Sequence, residues 1–290
     1  MNIDAGTETY GLMGHPVGHS VSPALQNELI RRYGFNAAYL AWNTEDILAA
    51  VKGGAALGIR GFNVTVPHKQ AVMPYLYAID EDAEKIGAVN TLKLTEGGYV
   101  GYNTDMPGLI RAFEYDGVSF KGRCAVLIGA GGAAAAALAA ILKCGAGRVL
   151  IVNRTIEKAR MLAERYSQYY PDVSFETAGS GAEAVSLMRS TNEKWNAVQT
   201  TSLGMYPKTD AAAVEEDEFY EMIEDGVDII FNPEKTLFME KVERAGGRAY
   251  NGLKMLLFQG VRSFEIWHDV RVDDSHTEEL LTIMRGALKR

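Results

Sequence analysis

One stretch limits what this chain can fold into: Ala125-Val-Leu-Ile-Gly129-Ala130-Gly131-Gly132-Ala133-Ala134. The four apolar residues from Ala125 to Ile128 suit a buried strand, and the glycines impose a tight turn. The alanine-rich run from Ala133 to Ala140 then carries the strongest helix propensity available. Gly129-x-Gly131-x-x-Ala134 matches the dinucleotide fingerprint in its alanine-ending form. Its glycines permit the turn and let backbone approach a pyrophosphate, which the N–H groups and dipole of a helix N-terminus attract. A second apolar strand, Arg148 to Val152, follows Gly145-Ala146-Gly147 and completes a βαβ unit of the expected length.

The residues after that second strand select the cofactor. Unphosphorylated ribose calls for Asp or Glu there, to accept from the 2′-hydroxyl; this chain has Asn153-Arg154-Thr155, with Lys158 one turn on. A guanidinium fork binds a 2′-phosphate dianion bidentately, so the expectation is NADP rather than NAD. On that reading the glycine turn and Arg154, with Lys158, face the cofactor. The plainer alternative makes Arg154 a solvated charge and the glycines packing residues.

With 290 residues, 47% hydrophobic and 23% charged, the chain is long enough for two domains with full cores and has the make-up of a soluble globular protein. A net charge of −8 without a basic block argues against nucleic acid as a partner. Cys124 and Cys144 are not spaced as a redox pair and read as free buried thiols in a reducing compartment. Nothing from Met1 to Gly6 resembles a signal peptide, and no apolar run reaches about 18 residues, so a cytoplasmic protein without a membrane partner is expected. The histidines, at 15, 19, 68, 268 and 276, offer no zinc constellation; Pro16 and Gly18 break any helical face between the first two, and no metal is expected.

In chain order, Tyr10 to Met13 reads as a strand. Ser22 reads as the N-cap of a helix with Pro23 at N1 and periodicity through Tyr33. Ser20 is left over: two hydroxyls at a helix N-terminus can hold a carboxylate, or simply cap the helix. Ala38 to Trp42 is a strand, and Thr44 opens a helix ending near Gly58. Phe62, Val64 and Val66 alternate with Asn63 and Thr65 as in a half-buried strand stopped by Pro67. Lys69 then sits at a strand end, where open α/β sheets keep their ligand crevice, although an isolated lysine is otherwise a surface charge.

A helix from Ala71 to Tyr77, an acidic one around Asp80 to Glu84, and a hairpin about Glu96-Gly97-Gly98 come next. Asp105 can N-cap a helix from Met106 to Tyr115, and Asp116-Gly117 marks a domain boundary. Beyond the βαβ unit, strands at Val173–Thr177, Trp195–Val198 and Val227–Phe231 alternate with helices at Ile156–Tyr169, Gly181–Arg189 and Thr236–Ala245. That pattern describes a doubly wound parallel sheet over about 117–247. A helix through Gln259 to Trp267 and an amphipathic one from Ser275 to Lys289 do not extend the alternation and are expected to return to the first domain.

Several motifs stand in order: His19-Ser20-Val21-Ser22-Pro23, Asn63-Val64-Thr65-Val66-Pro67-His68-Lys69, Gly87-Ala88-Val89-Asn90-Thr91, Asn103-Thr104-Asp105, Gly129-Ala130-Gly131-Gly132, Asn153-Arg154-Thr155, Thr201-Ser202-Leu203-Gly204-Met205, and the segment from Gly252 to Gln259. Together they make the chain resemble the shikimate dehydrogenase family over nearly its whole length. The resemblance implies a two-domain α/β fold: an N-terminal α/β substrate domain, over 1–116 and 248–290, and a Rossmann-type doubly wound NADP-binding domain over 117–247. It implies reversible NADP-linked reduction of 3-dehydroshikimate to shikimate, in the biosynthesis of chorismate and aromatic amino acids. Ser20 and Ser22 would hold the substrate carboxylate, and Thr65, Asn90, Asp105 and Gln259 the ring hydroxyls. Lys69 and Asp105 would form the catalytic pair. Gly129, Ala130, Gly131, Gly132, Ala133, Asn153, Arg154, Thr155 and Lys158 would bind NADP, together with Thr201, Ser202, Gly252 and Met255. The partner implied is a small molecule, and a homodimer is among the assemblies the resemblance allows.

Three positions depart from the commonest pattern of that family. His68 stands where an aromatic such as Phe is frequent, Gln199 where Asn often opens the Thr-Ser-Leu-Gly-Met motif, and Lys254 where a glycine usually lies near the nicotinamide. Lys254 either acts on closure, cofactor choice or substrate, or points to solvent. Two rival readings stand beside the main one: a quinate/shikimate dehydrogenase of the same family using NAD, and a non-catalytic NADP-binding regulator of the same fold. Arg154 with Lys158 argues against the first, and Lys69 with Asp105 against the second.

Overall fold

The structure is a computed structural model and describes residues 3–288; residues 1, 2, 289 and 290, and with Lys289 the expected end of the last helix, lie outside the described residues. The chain divides into two compact units, one running to Gly108 and resuming at Leu256, the other from Leu109 to Met255. Both divisions fall inside helices, some residues from the expected 116/117 and 247/248.

The chain opens with β1 (Glu8–Gly14), α1 (Ser22–Tyr33), β2 (Ala37–Asn43), α2 (Ile47–Ala56), β3 (Gly61–Val64), β4 (Ala78–Ile79), α3 (Glu81–Ile86), β5 (Thr91–Thr95), β6 (Gly98–Tyr102) and α4 (Asp105–Asp116). The sheet of this unit runs β2-β1-β3-β5-β6-β4. It is parallel across β2, β1 and β3 and antiparallel where β5 meets β3 and β6. Met13, Phe62, Val64, Val72, Val89 and Leu92 form its core.

β3 is shorter and more deeply set than the alternation predicts. All four of its residues are buried, Asn63 included, and Val66 beyond it is 68% exposed. A buried amide needs partners. Asn63 has them: the Tyr39 hydroxyl donates to its Oδ1 at 2.7 Å, and its Nδ2 donates to Ser263 Oγ at 2.8 Å. The helix expected from Ala71 to Tyr77 reduces to one 3₁₀ turn, Met73–Tyr75, because Pro74 brings no N–H and its ring blocks the preceding turn. Two expected caps move. Ser22 lies inside α1, whose N-cap Val21 makes no side-chain bond, and it is Ser20 Oγ that accepts from the Ser22 N–H, at 3.2 Å. α2 begins not at Thr44 but after Asp46, whose extended backbone lets its carboxylate accept from the Ala49 N–H.

The second unit holds β7 (Cys124–Ile128), α5 (Gly132–Lys143), β8 (Arg148–Val152), α6 (Ile156–Ser167), β9 (Ser174–Ala178), α7 (Gly181–Arg189), β10 (Trp195–Gln199), α8 (Asp217–Glu221), β11 (Ile223–Asp228), α9 (Leu237–Arg244) and β12 (Arg248–Tyr250). Its strands run β9-β8-β7-β10-β11-β12, all parallel. The order reverses between β7 and β10, the switch point where doubly wound folds hold ligands beyond the carboxyl ends of their strands.

Two expectations shift here. β12 lies past 247, and β11 covers Ile223–Asp228 rather than Val227–Phe231. The strand starts earlier because Asp225 is neutralised in the sheet by Arg248 of β12, with two bonds of 2.8 Å. Cys124 is buried and Cys144 half-buried, both as free thiols, and burial pushes each up to about 11. α10 (Leu253–His268) and α11 (Thr277–Leu288) end the chain. From Leu256 onward they belong to the first unit, where Gln26 Nε2 donates to the Gly260 carbonyl at 2.8 Å and Arg32 pairs with Glu279 at 2.7 Å.

Candidate active site

A helix-initiating aspartate ordinarily spends its carboxylate on the N–H groups of its own first turn. In α4 those N–H groups go instead to Asn103, whose Oδ1 accepts from the Asp105 N–H at 3.0 Å and from the Met106 N–H at 3.4 Å. Asp105 is therefore not the cap, and both its oxygens are left for side chains. Oδ2 accepts from Lys69 Nζ at 2.6 Å, and Oδ1 from Asn90 Nδ2 at 2.8 Å. The Asp105 side chain is 10% exposed and that of Lys69 30%, so the pair is a charge-assisted contact with its lysine face open. Lys69 is held by its backbone as well, its carbonyl accepting from the Val89 N–H at 2.8 Å. His68 beside it is buried and donates its Nε2 proton to the Thr44 carbonyl at 2.6 Å. This departure from the family pattern thus staples the lysine turn to the segment between β2 and α2.

The amide of Asn90 is oriented from behind. Its Oδ1 accepts from the Thr104 N–H at 2.8 Å and lies 3.1 Å from each of the Thr104 and Thr91 hydroxyls. With donors converging on the oxygen, the amide cannot flip, and Nδ2 faces Asp105. Ser263 Oγ of α10 closes the cluster, 2.8 Å from Thr91 Oγ1 and 3.2 Å from Thr104 Oγ1, and donates to the Gln259 carbonyl. Gln259 joins it through Oε1, 3.5 Å from Thr104 Oγ1.

Sequence reasoning missed Thr91, Thr104, Ser263 and Asn63 as supports. Nothing local marked them beyond their neutral polarity; the pairing of Asn63 with Thr91 across β3 and β5 is what brings those two together. Thr91→Val removes the hydroxyl shared by Asn63, Asn90 and Ser263. Chemical denaturation should show a loss of about 1–3 kcal/mol in unfolding free energy, the penalty for stranding buried polar groups.

The remaining residues expected to meet substrate form no bond to this cluster. Ser20 and Ser22 sit together at the start of α1, and Thr65 follows β3, its carbonyl accepting from the His68 N–H at 2.9 Å. The loops that carry them touch, the His15 N–H donating to the Val66 carbonyl at 3.0 Å. Among the described residues no hydrogen bond joins either serine to the Lys69–Asp105 pair.

All the residues expected to hold cofactor fall in the second unit. Gly129 has φ +109°, and a Cβ on it would lie 2.5 Å from Thr200 Oγ1, so only glycine makes this turn. At Gly131 and Gly132 a Cβ would meet nothing within 4 Å, and Gly131, the N-cap of α5, offers no side chain to the first N–H groups of that helix. An open, uncapped helix N-terminus of this kind, flanked by Ala130 and Ala133, fits a pyrophosphate. The end of β8 lies beside it, the Gly129 N–H donating to the Val152 carbonyl at 2.8 Å and Asn153 Nδ2 to the Thr155 carbonyl at 2.8 Å. Arg154, Thr155 and Lys158 are exposed there; two cations at that spot fit a 2′-phosphate.

The loop after β10 carries Thr201 and Ser202, and it is anchored to the glycine turn by Thr200, whose N–H and hydroxyl both donate to the Ile128 carbonyl. A Cβ on Gly252 would lie 2.0 Å from the Ile229 carbonyl oxygen, so the backbone is pressed against that segment. Met255 is half-buried one turn on. Lys254 does not point to solvent: it pairs with Asp116, its Nζ 5.1 Å from the centroid of the Tyr115 ring. Among the described residues no group of three or more His, Cys, Asp or Glu could hold a metal ion, and no helix is long and apolar enough to cross a membrane.

A family model described as the shikimate dehydrogenase substrate binding domain matches residues 12–92, and one described as shikimate / quinate 5-dehydrogenase matches residues 112–208. The shikimate dehydrogenase (NADP(+)) of Methanothermobacter thermautotrophicus is 39% identical, over 99% of this chain and 98% of its own. The shikimate 5-dehydrogenase of Listeria monocytogenes, solved with shikimate and NAD, aligns at TM-score 0.88 and 29% identity over 97% of this chain and 98% of that one. That of Thermus thermophilus, solved with NADP(H) and shikimate, aligns at TM-score 0.84 and 30% identity over 97% of this chain and 100% of that one. With such identity sustained from end to end, the chain belongs to the shikimate dehydrogenase family.

Proposed function

We propose that the protein is an NADP-dependent shikimate dehydrogenase, an oxidoreductase that interconverts 3-dehydroshikimate and shikimate in aromatic amino-acid biosynthesis. The observation that carries this reading is the Lys69–Asp105 pair, 2.6 Å apart and braced by Asn90 at 2.8 Å, on a face the lysine keeps open. NADPH, when bound, supplies the hydride to the ring ketone. Lys69 then stabilises the forming alkoxide with its charge and gives it a proton; in the reverse direction it takes that proton back. Asp105 holds the ammonium in place with one oxygen and accepts from a ring hydroxyl, while Asn90, Thr65 and Gln259 bind the other ring hydroxyls. Ser20 and Ser22 donate to the substrate carboxylate at the N-terminus of α1, a neutral site suited to a small anion.

On the cofactor side Gly129, Ala130, Gly131, Gly132 and Ala133 cradle the pyrophosphate. Asn153, Arg154, Thr155 and Lys158 take the adenosine ribose with its 2′-phosphate, and Thr201, Ser202, Gly252 and Met255 line the nicotinamide end. Every substrate residue in this assignment lies in the unit that ends at Gly108 and resumes at Leu256, and every cofactor residue in the other. The reaction involves neither nucleic acid nor membrane, and a cytoplasmic location is part of the proposal.

Steady-state reduction of NADP⁺ and of NAD⁺, each with shikimate and with quinate, tests the assignment. Expected is a kcat/KM for NADP⁺ with shikimate at least about tenfold above every other combination. Equal use of NAD⁺ or quinate moves the protein to the broader quinate/shikimate branch; cofactor binding without any reduction makes it the regulator.

A further inference from the structure

Asp228, at the carboxyl end of β11, is fully buried, and among the described residues its side chain meets neutral donors rather than a cation. Oδ1 accepts from the Ile230 N–H at 2.9 Å and from Gln199 Nε2 at 3.1 Å, and Oδ2 accepts from the Thr236 hydroxyl at 2.7 Å. Gln199, 1% exposed at the end of β10, also bonds Thr201 with both ends of its amide: Nε2 donates to the Thr201 carbonyl at 3.2 Å and Oε1 accepts from the Thr201 N–H. On the other side, the Ile230 carbonyl accepts from the Gly252 N–H at 2.9 Å. One buried carboxylate thus ties two segments, the loop that begins at Thr200 and the backbone on which Gly252 rests. Burying an ion among neutral partners is costly.

We propose that Asp228 is a positioning residue for NADP, fixing through Gln199 and Ile230 the relative placement of Thr201, Ser202 and Gly252 at the nicotinamide end. The inference rests on the reading of those three as cofactor residues. It also accounts for Gln199, a departure from the family pattern, whose amide spans from Asp228 to Thr201. Burial pushes the Asp228 carboxyl up to about 6, against the pull of its three hydrogen bonds. As the pH falls through that value the carboxyl becomes neutral, its bonds to Gln199 and Ile230 lose their charge assistance, and both segments loosen. Tyr220 of α8 is the titratable neighbour electrostatically coupled to Asp228; its hydroxyl is buried on the Val214 carbonyl, and burial holds it neutral throughout.

The test is calorimetric binding of NADP⁺ to the full chain and to Asp228→Asn, a change that keeps shape and the Thr236 contact but removes the charge. Expected is a dissociation constant for NADP⁺ raised about tenfold at neutral pH, the loss of roughly one charge-assisted bond, with shikimate binding unchanged. The 2′-phosphate of NADP⁺ itself titrates at a pH of about 6, so the comparison between the two proteins is the readout. Lowering the pH from about 7.5 to about 5 should erase the difference between them, because the unaltered protein acquires the neutral form that the variant already has.

Binding within twofold of the unaltered protein, or a difference that persists at low pH, overturns the proposal. If Asp228→Asn does not fold, Gln199→Met, which keeps the volume and removes the amide's bonds to Asp228 and Thr201, must show the same tenfold loss for NADP⁺ alone. An unaltered protein that binds shikimate but not NADP⁺ would instead refute the cofactor reading on which the proposal rests.

Discussion

Lys69→Ala lowers kcat by about 10²–10⁴ while the KM for shikimate stays within about threefold. The split follows from what the ammonium touches. Its structural contact is Asp105 at 2.6 Å, and its further protons are needed only when the ring oxygen becomes an alkoxide, so its contribution belongs to the transition state rather than to ground-state binding. Lys69→Arg keeps the positive charge and the pairing with Asp105 but cannot give up its proton near neutrality, so it should recover little of the loss. Removing Lys69 leaves Asp105 in a buried setting with Asn90 as its side-chain donor, so folding of each variant is checked by circular dichroism beside the kinetics. A Lys69→Ala protein with full activity would remove the lysine from the chemistry.

Arg154→Asp raises the KM for NADP⁺ by about 10²-fold or more and improves the use of NAD⁺. The arginine is exposed at the carboxyl end of β8, beside an open glycine turn and one helical turn from Lys158. Losing a charge-assisted bidentate bond to the 2′-phosphate accounts for one part of the effect, and repulsion from the new carboxylate for the rest. The same carboxylate can accept from the 2′-hydroxyl of NAD⁺, where doubly wound sites for that cofactor carry an acid. Parallel titrations of both cofactors at saturating shikimate give the answer. Unchanged NADP⁺ kinetics would leave Arg154 a solvated surface charge.

The parts of this molecule that were legible from the residues are those in which local chemistry and final role coincide. The turn at Gly129 could be read because its positive φ demands glycine wherever the rest of the chain goes, and the helix start at Gly131 follows it directly. The alternation after it foretold the parallel sheet, since a strand buried on both faces reads as an apolar run. Where partners come from afar the reading failed. Asn63 looked like the polar face of a half-buried strand, and nothing local says that Tyr39 and Ser263 wait for it inside. Asp105 was indistinguishable from an N-cap because the residue that does the capping, Asn103, is also a good cap and stands only two positions earlier.

Asp225 and Asp228 told the same lesson within one strand, which starts four residues earlier than the apolar run suggested. Both carboxylates are accommodated in it, one neutralised by Arg248 from the next strand and the other satisfied by Gln199, Ile230 and Thr236. The Lys69–Asp105 pairing itself was implied by the family's motifs and not by spacing, for 36 residues separate the two in the chain.

The measurement that goes most directly to the central claim uses shikimate carrying deuterium in place of hydrogen on carbon 3, incubated with the protein and NADP⁺ in ordinary water. Mass spectrometry of the products should find the deuterium in NADPH, one atom for each 3-dehydroshikimate formed, because the residues assigned here move only the hydroxyl proton while hydrogen on carbon passes directly to the nicotinamide. Deuterium released to solvent, or no NADPH formed at all, would contradict the account.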